Sequence, residues 1–242
     1  SSTITIEIER GGFDLIRISD NGSGIHEEDL PLSLDRHATS KLATEEDLAE
    51  IGTLGFRGEA LASIGMVSKL TISSRPAKTE GRQIVMDNGD KSQIQPIGIA
   101  EGTVIEVSNI FANQPARLAS QRRPATETSR VVDVVVSHAI SHPEVGFRLI
   151  SDEKTILEVP AVEDIEDRLY DVLGRQAGKM IPISSPPADS NAPGEETWRG
   201  WISTPDITRG KGDDIHILIN GRPVAAQPFL QSIHLMFLLI FQ

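Results

Sequence analysis

The sequence predicts an α/β protein with a mixed sheet, because short strands joined by tight turns are interspersed with helical segments. Ile4, Ile6 and Ile8 alternate with polar residues, and Gly11-Gly12 separates this strand from a second one over Phe13–Ser19. Hairpins at this frequency argue against a doubly wound parallel sheet. Further strands are predicted at 69–75, 82–87 and 91–95, with a turn at Asp87–Asp90, then at 103–108 and in a hairpin at 147–159.

Helical segments fall between these strands. Val131, Val134, Val135 and His138 recur at helical spacing, which predicts a helix over 126–141. Shorter helices are predicted to begin near Glu27 with Pro31 in the first turn, to run from Thr44 to Gly52, and to end near Ile64.

A linker and a new helix mark a second domain after residue 161. The acidic stretch Glu163–Asp167 leads into a helix that carries Leu169, Val172 and Leu173 on one face. A Pro/Ser/Ala-rich loop at 184–194 and strands around 197–203 and 214–219 follow. We therefore divide the chain into domains at 1–161 and 162–242.

The composition is that of an ordinary globular protein, with 242 residues, 38% hydrophobic and 24% charged. The absence of cysteine excludes disulfides, thiolate metal sites and cysteine nucleophiles. A net charge of −12 argues against a general nucleic-acid coat, because binding phosphate requires positive side chains. We see no signal peptide or membrane span, and expect a cytoplasmic protein.

Two motifs open onto the predicted sheet. Asp20-x-Gly22-x-Gly24 follows a strand, and an ionised carboxylate there can accept a hydrogen bond from an exocyclic amino group such as that of adenine. The two glycines would let the backbone approach a flat base closely. Gly102-Thr103 opens a later strand. Taken alone, the first motif is equally typical of a turn and the second of an ordinary strand start.

Two further motifs suit phosphate groups. The stretch at 36–41, Arg-His-Ala-Thr-Ser-Lys, offers two hydroxyls, a lysine and backbone N–H groups, although a solvated loop would look the same. The stretch at 53–61, Thr-Leu-Gly-Phe-Arg-Gly-Glu-Ala-Leu, carries glycine-rich backbone into a helix N-terminus, where N–H groups and the helix dipole favour anions. Its alternative role is packing between a helix and a strand. It matches neither the P-loop nor the dinucleotide fingerprint.

In this order and at these spacings, the four motifs resemble those of the MutL branch of the ATPases that also include gyrase, chaperones and histidine kinases. The stretches at 36–41 and 55–64 are typical of that branch, whereas DxGxG and the later Gly-Thr are shared more widely. The similarity continues through Phe111–Arg117 and resumes at Asn220-Gly221-Arg222, so it covers nearly the whole chain.

The resemblance implies a fold and a set of ligand contacts. The fold is a two-layer α/β sandwich, with helices on one face of a mixed sheet, followed by a small α/β domain like part of a ribosomal protein. ATP and Mg²⁺ are the implied cofactors. Asp20 would bind the adenine amino group beside Thr103, with Gly22 and Gly24 beneath the base. A lid over the phosphates would include Thr39, Ser40 and Lys41. The phosphate loop would consist of Gly55, Phe56, Arg57, Gly58, Glu59, Ala60 and Leu61.

The resemblance also implies an ATP-driven switch in DNA mismatch repair. ATP would order the lid, and the ordered surface would promote homodimerisation and recruitment of partners such as a MutS-type mismatch-recognition protein. Contact with DNA would be weak and directed at phosphate. Arg122, Arg123 and Arg130 would make that contact or form a solvated surface.

Two departures from the family bear on activity. Relatives carry a helix before the first hairpin, with a glutamate that activates water and an asparagine that holds Mg²⁺. This chain begins after it, so we expect no catalytic residue or protein metal ligand, and poor hydrolysis. The second domain is expected to be truncated at the apolar run 234–242. An ATPase-inactive fragment or assembly surface of the same family is the alternative, whereas 36–41 and 55–61 argue against a topoisomerase subunit or chaperone.

Overall fold

The computed structural model describes residues 1–35, 60–185, 197–207 and 215–233. The predicted helix over 44–52 and the apolar run at 234–242 lie outside the described residues, as does most of the predicted loop at 184–194. The chain consists of two compact units, Ser1–Val162 and Glu163–Gln242, and each is described by itself.

The first unit is built on a mixed nine-stranded sheet. Its strands run in the order β5-β4-β3-β7-β2-β1-β8-β9, with β6 also paired to β4. The pairs are antiparallel except for β1 with β8, which is parallel. The strands are β1 (Thr3–Glu9), β2 (Leu15–Asp20), β3 (Lys69–Arg75), β4 (Gly81–Asp87), β5 (Asp90–Lys91), β6 (Gln95–Ile97), β7 (Gly102–Ser108), β8 (Gly146–Ser151) and β9 (Lys154–Val159).

The two faces of this sheet differ in chemistry, because side chains alternate along each strand. One face carries a buried apolar cluster that includes Leu70 and Ile72 of β3, Ile84 of β4 and Val107 of β7. Partly buried Ile16 of β2 packs against it. This face therefore forms the core, and the registers place Ile16, Ile18 and Asp20 of β2 along it in turn.

Short helical elements cover the core face. The helix α1 (Ala60–Gly65) and the 3-10 turn Leu32–Leu34 contact each other, and Leu61, Ile64, Leu30 and Leu34 belong to or pack against the apolar cluster. The helices α2 (Pro115–Ala119) and α3 (Pro124–Ser141) follow β7. Helix α3 contacts β8 and the turn at Arg10–Gly12, and buries Val135 and Ala139.

The predicted fold class is confirmed: a mixed sheet carries helices on its core face. The first hairpin, the turn at Asp87–Asp90 and the helix over 126–141 are present. The predicted helix near Glu27 is instead a series of turns that ends in the 3-10 turn Leu32–Leu34. The strand predicted at 91–95 is divided into β5 and β6, and α2 was not predicted.

The second unit, as far as it is described, includes the helix α4, short helical turns and two hairpins. Helix α4 (Ile165–Leu173) buries Leu169 and was predicted from its apolar spacing. The hairpins pair β10 (Met180–Ser184) with β11 (Arg199–Ser203) and β12 (Ile217–Ile219) with β13 (Arg222–Val224). The likeness of this domain to a ribosomal protein remains a prediction. No helix within the described ranges is long and apolar enough to cross a membrane.

Candidate functional site

Three polar side chains lie side by side at one end of the core face. Asp20 is the last residue of β2 and pairs with Thr103 of β7, which in turn pairs with Ser74 of β3. Each is two residues from an isoleucine on the same face of its own strand: Ile18 for Asp20, Ile105 for Thr103 and Ile72 for Ser74. We call Asp20, Thr103 and Ser74 the Asp20 row. It marks the point where the apolar interior gives way to hydrogen-bonding groups.

The Ser74 hydroxyl is fully buried and has three hydrogen-bond partners. The backbone N–H of Ile25 donates to Ser74 Oγ at 2.8 Å. Ser74 Oγ lies 3.0 Å from the carbonyl oxygen of Gly102 and 2.9 Å from Thr103 Oγ1. These contacts join the loop after Asp20 to the start of β7, so the Asp20-x-Gly22-x-Gly24 and Gly102-Thr103 motifs are held together by a serine that belongs to neither.

Glycine is required at two positions, 24 and 102, because other backbone segments pass too close for a side chain. A Cβ on Gly102 would lie 2.0 Å from the carbonyl oxygen of Asp20, and its φ is +122°. A Cβ on Gly24 would lie 2.6 Å from backbone atoms of Arg75 and Pro76, and its φ is +74°. A side chain at either position would meet both a steric clash and a strained backbone. Packing of the loop against β3 and β7 thus accounts for Gly24 and Gly102.

The Asp20 carboxylate is only partly used by the protein. Its Oδ1 accepts a hydrogen bond from the N–H of Gly22 at 2.7 Å, which closes a tight turn. Within the described part of the chain, Oδ2 has no hydrogen-bond partner. Beside it on the core face, Ile18 is 41% exposed although β2 is a central strand. The row therefore presents an open acceptor next to uncovered apolar surface.

Asn21 anchors the same loop to the beginning of β1. Its Oδ1 accepts from the N–H groups of Ser2 and Thr3 at 2.9 and 3.0 Å, and its Nδ2 donates to Ser2 Oγ at 2.9 Å. Sequence reasoning missed both Asn21 and Ser74. A polar residue at an inward position of β3 was a signal for Ser74, because Leu70 and Ile72 on the same face are apolar.

The remaining predicted site residues are only partly described. Ala60 and Leu61 begin α1, and Leu61 packs against the apolar cluster that also receives Ile25. The side chain of Leu61 is therefore engaged in the core. Outside the described residues lie Thr39, Ser40, Lys41, Gly55, Phe56, Arg57, Gly58 and Glu59.

Two open cavities lie next to the row rather than on it. One, of about 490 Å³, is lined by residues that include Arg75, Gly81 and Ile97, and the other, of about 250 Å³, by residues that include Ile25 and Arg82. Asp20 and Thr103 line neither cavity. We place the candidate site at the row because Asp20 and Thr103, which come from two of the sequence motifs, lie side by side there on adjacent strands.

The opposite face of the same strands carries a second polar cluster. Arg17 of β2 lies 2.6 Å from Glu7 of β1 and 2.6 Å from Glu106 of β7. Hydrogen bonds to Glu106 and then to Glu7 raise the pKa of the Arg17 guanidinium. We call these three residues the Arg17 cluster. Both of its carboxylates already hold a cation, whereas Asp20 has no positive partner among the described residues.

A mixed sheet with helices on its core face and an acidic strand end beside a Gly-Thr strand start define a nucleotide-binding ATPase class. Accordingly, the family of histidine kinase-, DNA gyrase B- and HSP90-like ATPases matches residues 1–109. Within that class, the chain belongs to the MutL family. It is 45% identical over 224 residues to the DNA mismatch repair protein MutL of Streptococcus equi subsp. zooepidemicus strain H70, and 40% identical over 224 residues to that of Streptococcus pyogenes serotype M1. Both alignments cover 92% of this chain and 33% of the relative, so the chain spans about a third of their length.

Solved structures agree with this assignment. The Aquifex aeolicus MutL ATPase domain complexed with ADP is 26% identical, with a TM-score of 0.69, and the match covers 96% of this chain and 80% of that one. The N-terminal domain of a DNA repair protein has a TM-score of 0.78 at 23% identity, covering 98% of this chain and 73% of that one. The second likeness concerns the fold alone.

Proposed function

We propose that this chain is an ATP-binding switch module of a DNA mismatch repair protein, which dimerises when ATP is bound and recruits repair partners. In this proposal residues 1–161 form the ATP-binding domain and residues 162–242 form part of a second, transducing domain. The observation that carries the proposal is the Asp20 row: an unused carboxylate oxygen beside Thr103 and the exposed side chain of Ile18.

The row fits the edge and the face of a purine base. The second oxygen of Asp20 accepts a hydrogen bond from the exocyclic amino group of adenine, and a charge-assisted hydrogen bond of this kind contributes about 1.5–3 kcal/mol. The flat base lies against the uncovered apolar surface of Ile18, which is 41% exposed in the described structure. Gly22 leaves room for this approach, since its nearest side-chain neighbour is the Asp20 carboxylate itself.

The triphosphate extends from the base toward the lid and the glycine-rich loop. Thr39, Ser40 and Lys41 belong to the lid, and Gly55–Leu61 cradle phosphate oxygens with backbone N–H groups. Support comes from α1, which follows that loop and shares the apolar cluster with Ile25, the residue after the Asp20 loop. Leu61 and Ile25 therefore pack on the same face of the sheet.

Mg²⁺ is proposed only as the companion of the phosphates, which supply most of its oxygen ligands in nucleotide sites. Among the described residues, no group of three or more His, Cys, Asp or Glu side chains is placed to hold a metal ion. We therefore assign no protein ligand to Mg²⁺ and derive no step through it.

Partner contacts follow from the switch. The dimer is proposed to be a homodimer that forms on ATP binding, and a MutS-type mismatch-recognition protein is its proposed partner. DNA contact is weak, because the net charge is −12. Arg122, Arg123 and Arg130 are exposed at the start of α3, where they can meet phosphate, although Arg130 also pairs with Glu127 at 3.6 Å.

The proposal is tested by calorimetric titration with a non-hydrolysable ATP analogue, followed by sedimentation of the chain with and without it. We expect saturable binding and an increase in dimer with the analogue. Binding without any change in mass would overturn the switch and leave the nucleotide site. Absence of binding by a folded chain would contradict the site itself.

A further inference from the structure

The Ser74 hydroxyl is a candidate for a second role, because its three hydrogen-bond contacts permit one arrangement of protons. A serine hydroxyl has one proton to donate and two lone pairs. The N–H of Ile25 can only donate to it, and the carbonyl of Gly102 can only accept from it. For all three contacts to be satisfied, the Ser74 proton goes to Gly102 and the hydroxyl of Thr103 donates to Ser74 Oγ.

This arrangement fixes the character of Thr103. Its single proton is directed at Ser74, so toward the rest of the row Thr103 Oγ1 offers lone pairs alone. Thr103 is only 7% exposed and pairs directly with Asp20 across the β2–β7 ladder. Asp20 also offers only lone pairs when ionised. The side chains of the row therefore form a wall of hydrogen-bond acceptors, because neither Asp20 nor Thr103 has a side-chain proton that points outward.

We propose that Ser74 is a positioning residue that makes the nucleotide site select a 6-amino purine over a 6-oxo purine. This inference rests on the proposed function. The amino group at position 6 has two protons, one for Asp20 and one for Thr103, whereas the oxygen at position 6 of a 6-oxo purine would bring a third acceptor against these two. Ser74 acts through Thr103 and does not itself contact the base. It also holds the N–H of Ile25, and so keeps the Gly22–Gly24 turn against β7.

The neighbouring Ser73 provides a matched control. It is 4% exposed, lies on the same strand and accepts a hydrogen bond from Gln83 Nε2 at 2.8 Å. Because side chains alternate, Ser73 is on the opposite face of the sheet from the Asp20 row. Ser73→Ala thus removes a buried serine hydroxyl from the same strand without changing the proton arrangement at Thr103.

The experiment measures dissociation constants of ATP and inosine triphosphate, which carries a 6-oxo group, for the whole chain and its variants. In Ser74→Ala the Thr103 hydroxyl is released and can turn its proton toward the base, so we expect the preference for ATP to fall about tenfold, the effect of one hydrogen bond. Ser74→Thr keeps the hydroxyl and should keep the preference. Ser73→Ala should also keep it.

Stability and selectivity are separated by a second variant. Ser74→Cys preserves the side-chain volume while substituting a weak hydrogen-bonding group, so it serves if Ser74→Ala does not fold. An unchanged ratio of the two dissociation constants in either folded variant overturns the role of Ser74 and leaves nucleotide binding intact. Failure of the unaltered chain to bind ATP overturns the proposed function instead.

Discussion

The Asp20 row and the Arg17 cluster lie on opposite faces of the same two strands, and they use their polar groups differently. In the Arg17 cluster, one guanidinium is shared by two carboxylates at 2.6 Å each. In the Asp20 row, one carboxylate oxygen receives the N–H of Gly22, and the other has no partner in the described structure. Both clusters bridge β2 and β7, but the Arg17 cluster engages its carboxylates with a shared cation, whereas the row contains no positive side chain to engage Asp20.

The difference shows that polarity alone does not identify a site on a sheet. The Arg17 cluster carries three charges and is the more conspicuous of the two, but its one guanidinium is held by carboxylates from both neighbouring strands, β1 and β7. The row has a single charge, and buried Ser74 and Thr103 fix its geometry. We therefore expect changes in the Arg17 cluster to alter stability and changes in the row to alter binding.

Gly102→Ala is expected to have the largest effect. Its Cβ would lie 2.0 Å from the carbonyl oxygen of Asp20, at a φ of +122°. Backbone strain and the clash together should lower the free energy of unfolding by about 3 kcal/mol and weaken nucleotide binding. Urea denaturation measures the loss. Gly98→Ala is the control, since nothing lies within 4 Å of its Cβ, and a loss of equal size there would contradict the argument.

Asp20→Asn is expected to weaken binding of a non-hydrolysable ATP analogue by roughly 10- to 100-fold, because the site loses a charge-assisted acceptor. Calorimetry gives the affinity, and urea denaturation should show little change in stability. The exposed Asp14 pairs with Arg10 at the other end of β2, so Asp14→Asn should bind normally. Equal affinities for Asp20→Asn and the unaltered chain would contradict the proposal that the Asp20 carboxylate contacts the nucleotide.

Arg17→Met is expected to lower the free energy of unfolding by about 1–2 kcal/mol, since Glu7 and Glu106 lose their shared partner while solvent still screens them. Its affinity for the ATP analogue should remain unchanged, which is the reverse of Asp20→Asn. Parallel urea and calorimetry measurements test this contrast. A drop in affinity without a loss of stability would show that the Arg17 cluster contributes to nucleotide binding, and would contradict the division of roles between the two faces.

Acidification provides the smallest expected effect, in a region that belongs to neither cluster. Burial, followed by repulsion from His142, lowers the pKa of His138 in α3. Stability from the neutral imidazole is therefore complete above the ordinary histidine pKa of about 6.5 and is lost as the pH falls toward the lowered value. The melting temperature should decrease by a few degrees at most between pH 7.5 and 5.5, and His138→Gln should reduce that decrease.

Much of the fold follows from local patterns in the sequence. The alternation of Ile4, Ile6 and Ile8 predicted β1, and the spacing of Val131 and Val135 predicted α3. Asn88 and Gly89 adopt positive φ angles of 49° and 99°, as their turn requires. The prediction of a helix near Glu27 was wrong. A series of turns and the short 3-10 turn bury Leu30 and Leu34 there without a full helix.

The candidate site was predictable only in part. Asp20, Gly24 and Gly102 carry a signal in the sequence, since a turn glycine or a strand-end carboxylate stands out locally. The roles of Ser74 and Asn21 depend on pairing between β3 and β7 and on contact with Ser2, which no local pattern specifies. Gly24 illustrates the limit: we assigned it to the base, and the structure gives it a packing role against Arg75 and Pro76 as well.

The most direct test is amide chemical-shift mapping by nuclear magnetic resonance during titration with a non-hydrolysable ATP analogue. We predict that, among the described residues, the largest shifts fall at Ile18–Ile25, which cover the end of β2 and the loop after it, and at Gly102–Ile105 of β7. Shifts concentrated instead around the edge cavity at Gly81 and Pro96–Ile99, with Asp20 and Thr103 unmoved, would contradict the assignment of the nucleotide site.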